Sequence, residues 1–372
     1  MTPAEELARL LRPAGGGLYL VSTGVAEQQA LQQRLYGASD PDTVQRMFRE
    51  RLDQLADAKV LILGVPSDVG AGYRRGASLA PAAIRSALLS ADPAWNERAA
   101  AEGVVDVGDV FVVPQLLHDE MLSRPQRQRA QQALYGGVPV GVRASMPVSP
   151  LSIAERALDL LFELAPNAKP MVLGGDHSVA WPVVAALHRR AGGQPFAIVQ
   201  PDAHTDLLPE RLGVTYCFAT WSYHANELIG RGGKLVQLGV RASRHPREHW
   251  ESTLGVRQFW PDSYLKRPAE TAETVMTHLR SLDVRGVYLS NDIDGTDARF
   301  APSTGTPEPD GLDPEWLLAL IDRMGSEVGL VGADCVEVAP PLGSDEDARR
   351  TLELAARYVR ASLDALLRPV PA

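Results

Sequence analysis

The chain has 372 residues, of which 45% are hydrophobic, and this length suits one large α/β domain with an added segment or two domains. Its 37 basic and 46 acidic side chains give a formal net charge of −9, which argues against nucleic acid or an anionic membrane as a partner. Two cysteines, Cys217 and Cys335, are too few for a disulfide framework, so we expect a cytoplasmic protein. We expect no signal peptide, because Glu5 and Glu6 stand where a basic region would lie, and no apolar run approaches the length of a membrane span.

Residues 1–57 are predicted to be an N-terminal helical extension of the main domain. Residues 3–11 and 43–55 have helical patterns, and three glycines at 15–17 end the first one. The segment carries no evident chemistry, so we expect it to pack on the main domain or on a neighbouring subunit.

The main domain, residues 58–372, alternates predicted strands and helices. The strands are 59–64, 104–113, 171–173, 196–199, 234–239, 286–290 and 328–333. The helices are 82–89, 151–164, 179–190, 269–282, 314–324 and 346–367. This alternation predicts a single three-layer α/β/α domain with a mainly parallel sheet, in which ligands bind beyond the carboxyl ends of the strands.

A long polar insertion, at about 115–150, interrupts this alternation, and its middle, residues 122–135, has a helical pattern. Loops of this length are usually functional. We expect the insertion to frame a pocket or to contact another subunit.

Acidic or imidazole side chains follow four of the predicted strands, which is unusual for buried strand ends, and three of these ends supply the candidate metal ligands. Alternate residues of an extended segment point the same way, so Asp202, His204 and Asp206 can converge on one small volume. The other groups come after the strands at 171–173 and 286–290. The six candidate metal ligands are His177, Asp202, His204, Asp206, Asp292 and Asp294.

Each of these motifs is weak by itself, because a loop of this kind can be solvated and a lone histidine is usually a satisfied core residue. Together they would place four carboxylates on one rim, where they repel one another unless cations are present. Oxygen ligands with imidazole nitrogen suit divalent Mn, Ni, Zn or Fe. We therefore predict two divalent metal ions in a hydrolytic site.

The same stretches resemble the ureohydrolase family, which includes arginase, agmatinase and guanidinobutyrase. Residues 174–178 match its G-G-D-H-S motif, 202–206 its D-A-H-x-D and 290–294 its S-x-D-x-D. Residues 301–307 and 336–340 are similar to its P-G-T-G-T-P loop and V-E-x-x-P motif. The resemblance covers roughly residues 58–367.

The resemblance implies an arginase-like fold and two divalent ions, manganese or nickel. One ion would be held by His177, Asp202, Asp206 and Asp292, and the other by His204, Asp202, Asp292 and Asp294. It further implies that Asp206 orients the attacking hydroxide and carries a proton to the leaving amine. Glu337 would be the other catalytic residue and would bind a planar, cationic guanidino substrate. The family usually forms homo-trimers or homo-hexamers.

The sequence departs from the family pattern in two places. Many members carry a histidine some fifteen residues past D-A-H-x-D that helps to shuttle protons, and Cys217 stands near that position, with no histidine before His224. We assign Cys217 no catalytic role, because a buried free cysteine is usually inert packing. The glycine pair after the P-G-T-G-T-P loop is altered to Asp310-Gly311.

Four aromatic residues either narrow the pocket or belong to the core; they are Tyr216, Phe218, Trp221 and Tyr223. With the extension and the insertion they resemble the branch of guanidine hydrolases and biguanide (metformin-type) hydrolases, some of which use nickel. A small guanidine compound is favoured; agmatine or 4-guanidinobutyrate is the enzymatic alternative.

Two further possibilities remain open. The chain could be a non-catalytic or weakly active subunit of a hetero-oligomer with an active homologue, although a scaffold has no need of clustered carboxylates. A deacetylase acting on amides is less favoured, because two metals and Glu337 suit a cationic planar group better than a neutral amide.

Overall fold

The computed structural model describes residues 1–370. Within them, the strands are β1 (Leu11–Arg12), β2 (Val60–Gly64), β3 (Val104–Val110), β4 (Lys169–Leu173), β5 (Ala197–Pro201), β6 (Leu235–Leu238), β7 (Arg257–Phe259), β8 (Val287–Asp292) and β9 (Leu330–Val336). They form one sheet in the order β1-β3-β2-β4-β9-β8-β5-β6-β7. In this order, every pair of neighbouring strands from β3 to β7 is parallel. Among the described strands, only β1, at one edge of the sheet, runs antiparallel to its neighbour.

Helices flank the sheet in two series, and within each series consecutive helices pack against one another. The helices are α1 (Pro3–Leu10), α2 (Val25–Tyr36), α3 (Pro41–Leu52), α4 (Ala80–Ala91), α5 (Trp95–Glu102), α6 (Arg124–Tyr135), α7 (Val140–Arg143), α8 (Pro150–Leu164), α9 (Ala180–Arg190), α10 (Trp221–Leu228), α11 (Arg247–Leu254), α12 (Pro261–Tyr264), α13 (Pro268–Ser281), α14 (Pro314–Glu327) and α15 (Asp345–Leu367). One series runs α1, α8, α9 and α10, and the other runs α4, α15, α14 and α13. Every residue of β2, β5, β8 and β9 is buried, as expected for parallel strands covered on both faces. The predicted α/β domain with a mainly parallel sheet is confirmed.

Three strands are longer than predicted at their carboxyl ends, and the first is β5, which was predicted to end at residue 199 and continues to Pro201. The strand predicted to end at residue 290 continues to Asp292, and the one predicted to end at 333 continues to Val336. These last two extensions carry polar or acidic residues, which a hydrophobic pattern cannot assign to a strand. The sheet therefore carries Asp292 on a strand instead of on the loop that follows.

The N-terminal segment packs on the main domain. Leu7, Leu10 and Leu11 are fully buried in the same hydrophobic cluster as the strands, and Leu11 pairs with Val110 at the edge of the sheet. The segment also contains α2, which the sequence did not predict, because this helix has few apolar residues at regular helical spacing. The domain boundary at residue 57 stays a prediction.

The insertion at 115–150 is tied down by its own polar side chains. Asp119 accepts a hydrogen bond from the Ser149 amide at 2.9 Å, and the Tyr135 hydroxyl donates to the Pro147 carbonyl at 2.7 Å. With residues 69–73 and the loop near Phe218, the first part of the insertion lines a cavity of about 490 Å³. A contact of this insertion with another subunit stays a prediction.

None of the helices described in residues 1–370 has both the length and the apolar character that crossing a membrane requires.

Candidate metal centre

All six predicted ligands lie at one rim, where β4, β8 and β5 end. His177 follows β4 through Gly174 and Gly175, and a Cβ atom at Gly175 would lie only 1.7 Å from the Ser67 carbonyl oxygen. Only glycine lets the chain turn here, and the turn places His177 over the sheet. The other ligands come from the ends of β5 and β8, which are neighbours in the sheet.

The first group of ligands surrounds the Nδ1 atom of His177. This atom lies 3.0 Å from Asp292 Oδ2, 3.1 Å from Asp202 Oδ2 and 3.3 Å from Asp206 Oδ2. All of these side chains are buried, yet Nδ1 has no hydrogen-bond partner of acceptable geometry among the described residues. A buried nitrogen that faces three carboxylate oxygens without a hydrogen bond fits a cation held between them.

The second group lies on the other side of Asp202. His204 Nδ1 is 3.1 Å from Asp294 Oδ2 and 3.5 Å from Asp202 Oδ1. Asp202 therefore presents one oxygen to each histidine, as a ligand shared by two cations must. His177, Asp202 and Asp292 form one compact triad, and Asp202, His204 and Asp294 form the other.

A hydrogen-bond network behind His177 keeps its Nδ1 free for a cation. The Ser290 hydroxyl lies 3.0 Å from His177 Nε2 and donates to Asp334 at 2.8 Å. Because the hydroxyl proton is used on Asp334, the hydroxyl oxygen must accept from Nε2–H, so in the neutral imidazole the lone pair lies on Nδ1. Such outer partners commonly orient metal-binding histidines.

The carboxylates are held by neutral donors. The Asp202 oxygens accept from the His204 amide at 2.6 Å and from Gln200 Nε2 at 2.7 Å. Asp294 accepts from the Thr306 hydroxyl at 3.0 Å, which brings the 301–307 loop to the site. None of these donors neutralises the negative charge, so that charge stays available to cations.

Crowding shifts the protonation of the cluster when no cation is bound. Burial, together with the nearby Asp294 and Asp202 carboxylates, raises the pKa of Asp292 well above its usual range. Burial and then Asp202 raise the pKa of Asp206 to about 6. Burial lowers the pKa of His204, but Asp294 and Asp202 outweigh it and raise this pKa to about 12. Without cations, protons must offset the excess negative charge.

Glu337, the predicted substrate-binding residue, lies beside the cluster. Its Oε1 accepts from the His177 backbone amide at 2.8 Å, and its own amide donates to the Gly175 carbonyl at 2.8 Å. The side chain is partly buried, and burial followed by the charge of Asp176 raises its pKa well above the usual range. In residues 1–370 it forms no salt bridge with Lys or Arg, so it is available to a cationic ligand.

Two neighbouring residues in the stretch after the D-A-H-x-D motif, Tyr216 and Cys217, have structural roles. Cys217 is buried, its amide donates to the Thr220 hydroxyl at 2.9 Å, and it belongs to neither triad. Tyr216 stacks on Trp181 with ring centroids 4.8 Å apart. These contacts account for both residues as packing.

Sequence reasoning missed the supporting role of Trp221. Its ring lies 4.5 Å from the His177 ring, and its indole nitrogen donates to Asp206 Oδ2 at 3.1 Å. It is fully buried, so it belongs to the core while it also supports the site. No local pattern could have shown this, because Trp221 and Asp206 are joined by a long irregular loop. Ser290 and Thr306, in contrast, stand inside motifs that the sequence displays.

The donor set fits two divalent cations. Two imidazole nitrogens and four carboxylates converge, Asp202 faces both histidines, and a buried nitrogen lacks a partner. Oxygen with imidazole nitrogen is the ligand chemistry of first-row divalent metals.

Comparisons with known proteins agree with this geometry. Residues 58–363 match the Arginase family. The chain is 31% identical over 300 residues to N(1)-aminopropylagmatine ureohydrolase of Thermus thermophilus, covering 79% of this chain and 87% of the relative. It is 28% identical to agmatinase of Bacillus subtilis, covering 86% and 95%.

Among solved structures, proclavaminate amidino hydrolase from Streptomyces clavuligerus superposes with a TM-score of 0.64 at 26% identity, covering 84% of this chain and 93% of that one. The family match spans most of the chain and includes every residue of the two triads. The chain therefore belongs to the arginase family and is a hydrolase of the ureohydrolase type.

Proposed function

We propose that the chain hydrolyses a C–N bond of a small guanidino compound, such as guanidine, a substituted guanidine or a biguanide, and releases urea or ammonia with an amine. The observation that carries this proposal is the shared carboxylate of Asp202 between the two histidines, with the carboxylate of Glu337 beside them. Two divalent ions, manganese or nickel, bound by these side chains would supply a water-derived nucleophile near neutral pH.

Asp206 and Glu337 have different roles in the proposed reaction. Asp206, whose Oδ2 is oriented by Trp221, holds the nucleophile and passes a proton to the leaving amine. Glu337 accepts charge-assisted hydrogen bonds from the guanidinium through an oxygen that no described residue occupies. The substrate is thereby placed with its planar cation against a carboxylate and its central carbon toward the metal site.

The burial of the cluster supports a compact substrate. Five of the six proposed ligands are at most 6% exposed, and only the His204 side chain, at 26%, opens to solvent. This limited exposure is the reason that guanidine or a short derivative is favoured. Agmatine remains the alternative substrate class, because relatives near 30% identity carry the names agmatinase and N(1)-aminopropylagmatine ureohydrolase.

A substrate panel tests the proposal. Guanidine, methylguanidine, metformin, agmatine, 4-guanidinobutyrate and arginine are incubated with the Mn²⁺-loaded and the Ni²⁺-loaded protein, and urea and ammonia are measured. We expect the highest kcat/KM for guanidine or a small substituted form, and loss of turnover in His204→Ala. A higher kcat/KM for agmatine would overturn the assignment of a small substrate.

A second candidate is a weakly active subunit of a hetero-oligomer. It predicts that the chain binds about two cations yet turns over none of the six compounds, and that a homologue restores activity. Mass measurement in solution separates this case from the homo-trimer or homo-hexamer that we propose. The two buried free cysteines are consistent with the reducing cytoplasm, which we propose as its location.

A further inference from the structure

Three buried glutamines on neighbouring strands form a continuous hydrogen-bonded chain that ends on the shared ligand Asp202. Gln200 pairs in register with Gln237, and Gln237 pairs with Gln258, so the three side chains follow one another across β5, β6 and β7. All are at most 2% exposed. We call these three residues the glutamine chain.

The contacts of the glutamine chain are short and run in one direction. The Trp260 indole N–H donates to Gln258 Oε1 at 3.0 Å, and Gln258 Nε2 donates to Gln237 Oε1 at 2.7 Å. Gln237 Nε2 donates to Gln200 Oε1 at 2.9 Å, and Gln200 Nε2 donates to Asp202 Oδ2 at 2.7 Å. Each amide therefore receives a hydrogen bond on its oxygen and gives one from its nitrogen.

The donor-to-acceptor direction of the hydrogen bonds in the glutamine chain is fixed by three partners that can only donate or only accept. The Trp260 indole can only donate, so the oxygen of Gln258 must face it. The Thr205 carbonyl can only accept, and Gln237 Nε2 donates to it at 2.6 Å. The ionised Asp202 at the far end can also only accept. If any one amide were flipped, two donors or two acceptors would face each other in a buried place.

We propose that the glutamine chain positions the Asp202 carboxylate so that two cations can share it. Asp202 must hold one oxygen toward each histidine, and a carboxylate that can rotate freely would do so only part of the time. Gln200 donates to Oδ2 and the His204 amide donates to Oδ1, while Oδ2 also faces His177 Nδ1 and Oδ1 also faces His204 Nδ1.

Neutral amides suit this role better than a charged donor. An arginine or lysine beside Asp202 would compete with the cations for its negative charge. Amides hold the carboxylate and leave its charge intact, and the line of aligned amides strengthens the last donor by polarisation. Residues as remote as Gln258 and Trp260, on the edge strand β7 and just after it, thus act on the metal site as positioning residues.

This inference rests on the proposed two-metal site but not on the identity of the substrate. Binding of Mn²⁺ and Ni²⁺ to the metal-free protein is measured by calorimetry, and the electron paramagnetic resonance spectrum of the Mn²⁺-loaded protein reports how the two ions share a ligand. Metal-free variants are first checked for folding by circular dichroism.

We expect Gln200→Leu to raise the Kd of at least one Mn²⁺ on the order of 10-fold, as is typical when the outer partner of a ligand is lost. Gln258→Leu and Trp260→Phe, which touch no proposed ligand, should raise it roughly two- to threefold because the last donor is less polarised and less firmly held. The spectrum of the coupled Mn²⁺ ions should change most in Gln200→Leu and less in Gln258→Leu and Trp260→Phe.

Two matched controls separate positioning from general destabilisation. Gln131 is also buried, at 4% exposed, and donates to the Met146 carbonyl at 2.8 Å, so Gln131→Leu loses a buried amide outside the glutamine chain. Trp250 donates to the Ser243 hydroxyl at 2.9 Å, so Trp250→Phe matches Trp260→Phe. Both controls should bind Mn²⁺ as the wild type does, whatever stability they lose.

Unchanged Mn²⁺ affinity and an unchanged spectrum in Gln200→Leu and Gln258→Leu would overturn the inference, as would equal losses in the two controls. If Gln200→Leu does not fold, Trp260→Phe against Trp250→Phe decides the matter. A wild-type protein that binds neither Mn²⁺ nor Ni²⁺ would overturn the proposed function itself, and this outcome is distinct from altered affinity in the variants alone.

Discussion

Both residues proposed to act on the substrate have a left-handed backbone, which is uncommon for residues other than glycine. Asp206 has φ = 52° and Glu337 has φ = 62°. Such conformations cost free energy and persist where surrounding contacts enforce them. Here the contacts are the Tyr223 amide, which donates to the Asp206 carbonyl, and the hydrogen bond from the Glu337 amide to Gly175. The backbone turns after β5 and β9 thus aim both carboxylates into the site.

Glu337→Gln should weaken the binding of a cationic substrate more than the chemical step. A hydrogen bond to a charged group contributes about 1.5–3 kcal/mol, so kcat/KM should fall on the order of 10- to 100-fold, mainly through KM. Steady-state kinetics with the best compound of the panel measures this. The number of bound Mn²⁺ ions, measured in parallel, should not change. A variant with wild-type KM would remove Glu337 from the substrate site.

Asp206→Asn should abolish turnover and stabilise the metal-free fold at alkaline pH. The folded-state pKa of Asp206 is about 6, above the unfolded value of about 3.9, so the folded chain holds the extra proton between these values. The contribution of this proton to the free energy of unfolding is present in full below about pH 4 and is lost as the pH rises through about 6. Asparagine avoids this loss, which is worth up to about 3 kcal/mol.

The measurement for Asp206→Asn is the Tm of both metal-free proteins at pH 8 and at pH 5. The advantage of the variant should be largest at pH 8 and should shrink at pH 5. A constant difference between the two proteins would show that Asp206 is not the titrating group. Added Mn²⁺ should reverse the order at pH 8, because the wild type gains a ligand for the cation that the variant lacks.

At the scale of elements, a buried ion triad joins α4 to β3. Arg85 donates to Asp106 at 2.7 Å and to Asp109 at 2.5 Å, and the Arg85 side chain is 2% exposed. Burial raises the pKa of Asp109, although Arg85 acts in the opposite direction. Asp109 also accepts from the Gly15 amide at 2.8 Å, so the triad connects the N-terminal segment with the main domain.

Arg85→Met should lower the free energy of unfolding by about 3–5 kcal/mol, because it leaves two carboxylates without their cation, one of them deeply buried. Urea unfolding followed by circular dichroism measures this. Arg46→Met is the control, since Arg46 pairs with Glu50 on an exposed helix face and should lose no more than about 1 kcal/mol. A loss of similar size in both variants would contradict the stabilising role assigned to the ion pairs of Arg85 with Asp106 and Asp109.

At the scale of the molecule, the rim formed by β4, β8 and β5 gathers four carboxylates with which no Lys or Arg among the described residues forms a salt bridge. Removal of metal with a chelator should therefore lower the Tm, and added Mn²⁺ should restore it. A cation at 100 times its Kd adds about 2.7 kcal/mol for each site. Asp292→Ala should lose most of this metal-dependent gain, whereas a metal-independent Tm in the wild type would argue against the two-metal site.

Much of the fold could be predicted because its signals are local. Buried strands such as β2 and β5 read as short apolar runs, and helices such as α8 show helical spacing. The missed elements lack such signals. Half of the residues in helix α2 are polar, β1 has only two residues, and the end of β8 is acidic, so their states are set by the strands and helices that they contact.

The sequence by itself determined which groups could bind cations, since His177, Asp202 and Asp292 stand at strand ends, and parallel strands end at a common edge. Only the tertiary structure decided which oxygen faces which histidine, and which neighbours hold it there. Trp221 and the glutamine chain reach the site through contacts between segments far apart in the chain, as Gln258 does across two strands. Local pattern cannot encode such contacts, because they depend on sheet order and register, which the whole chain sets together.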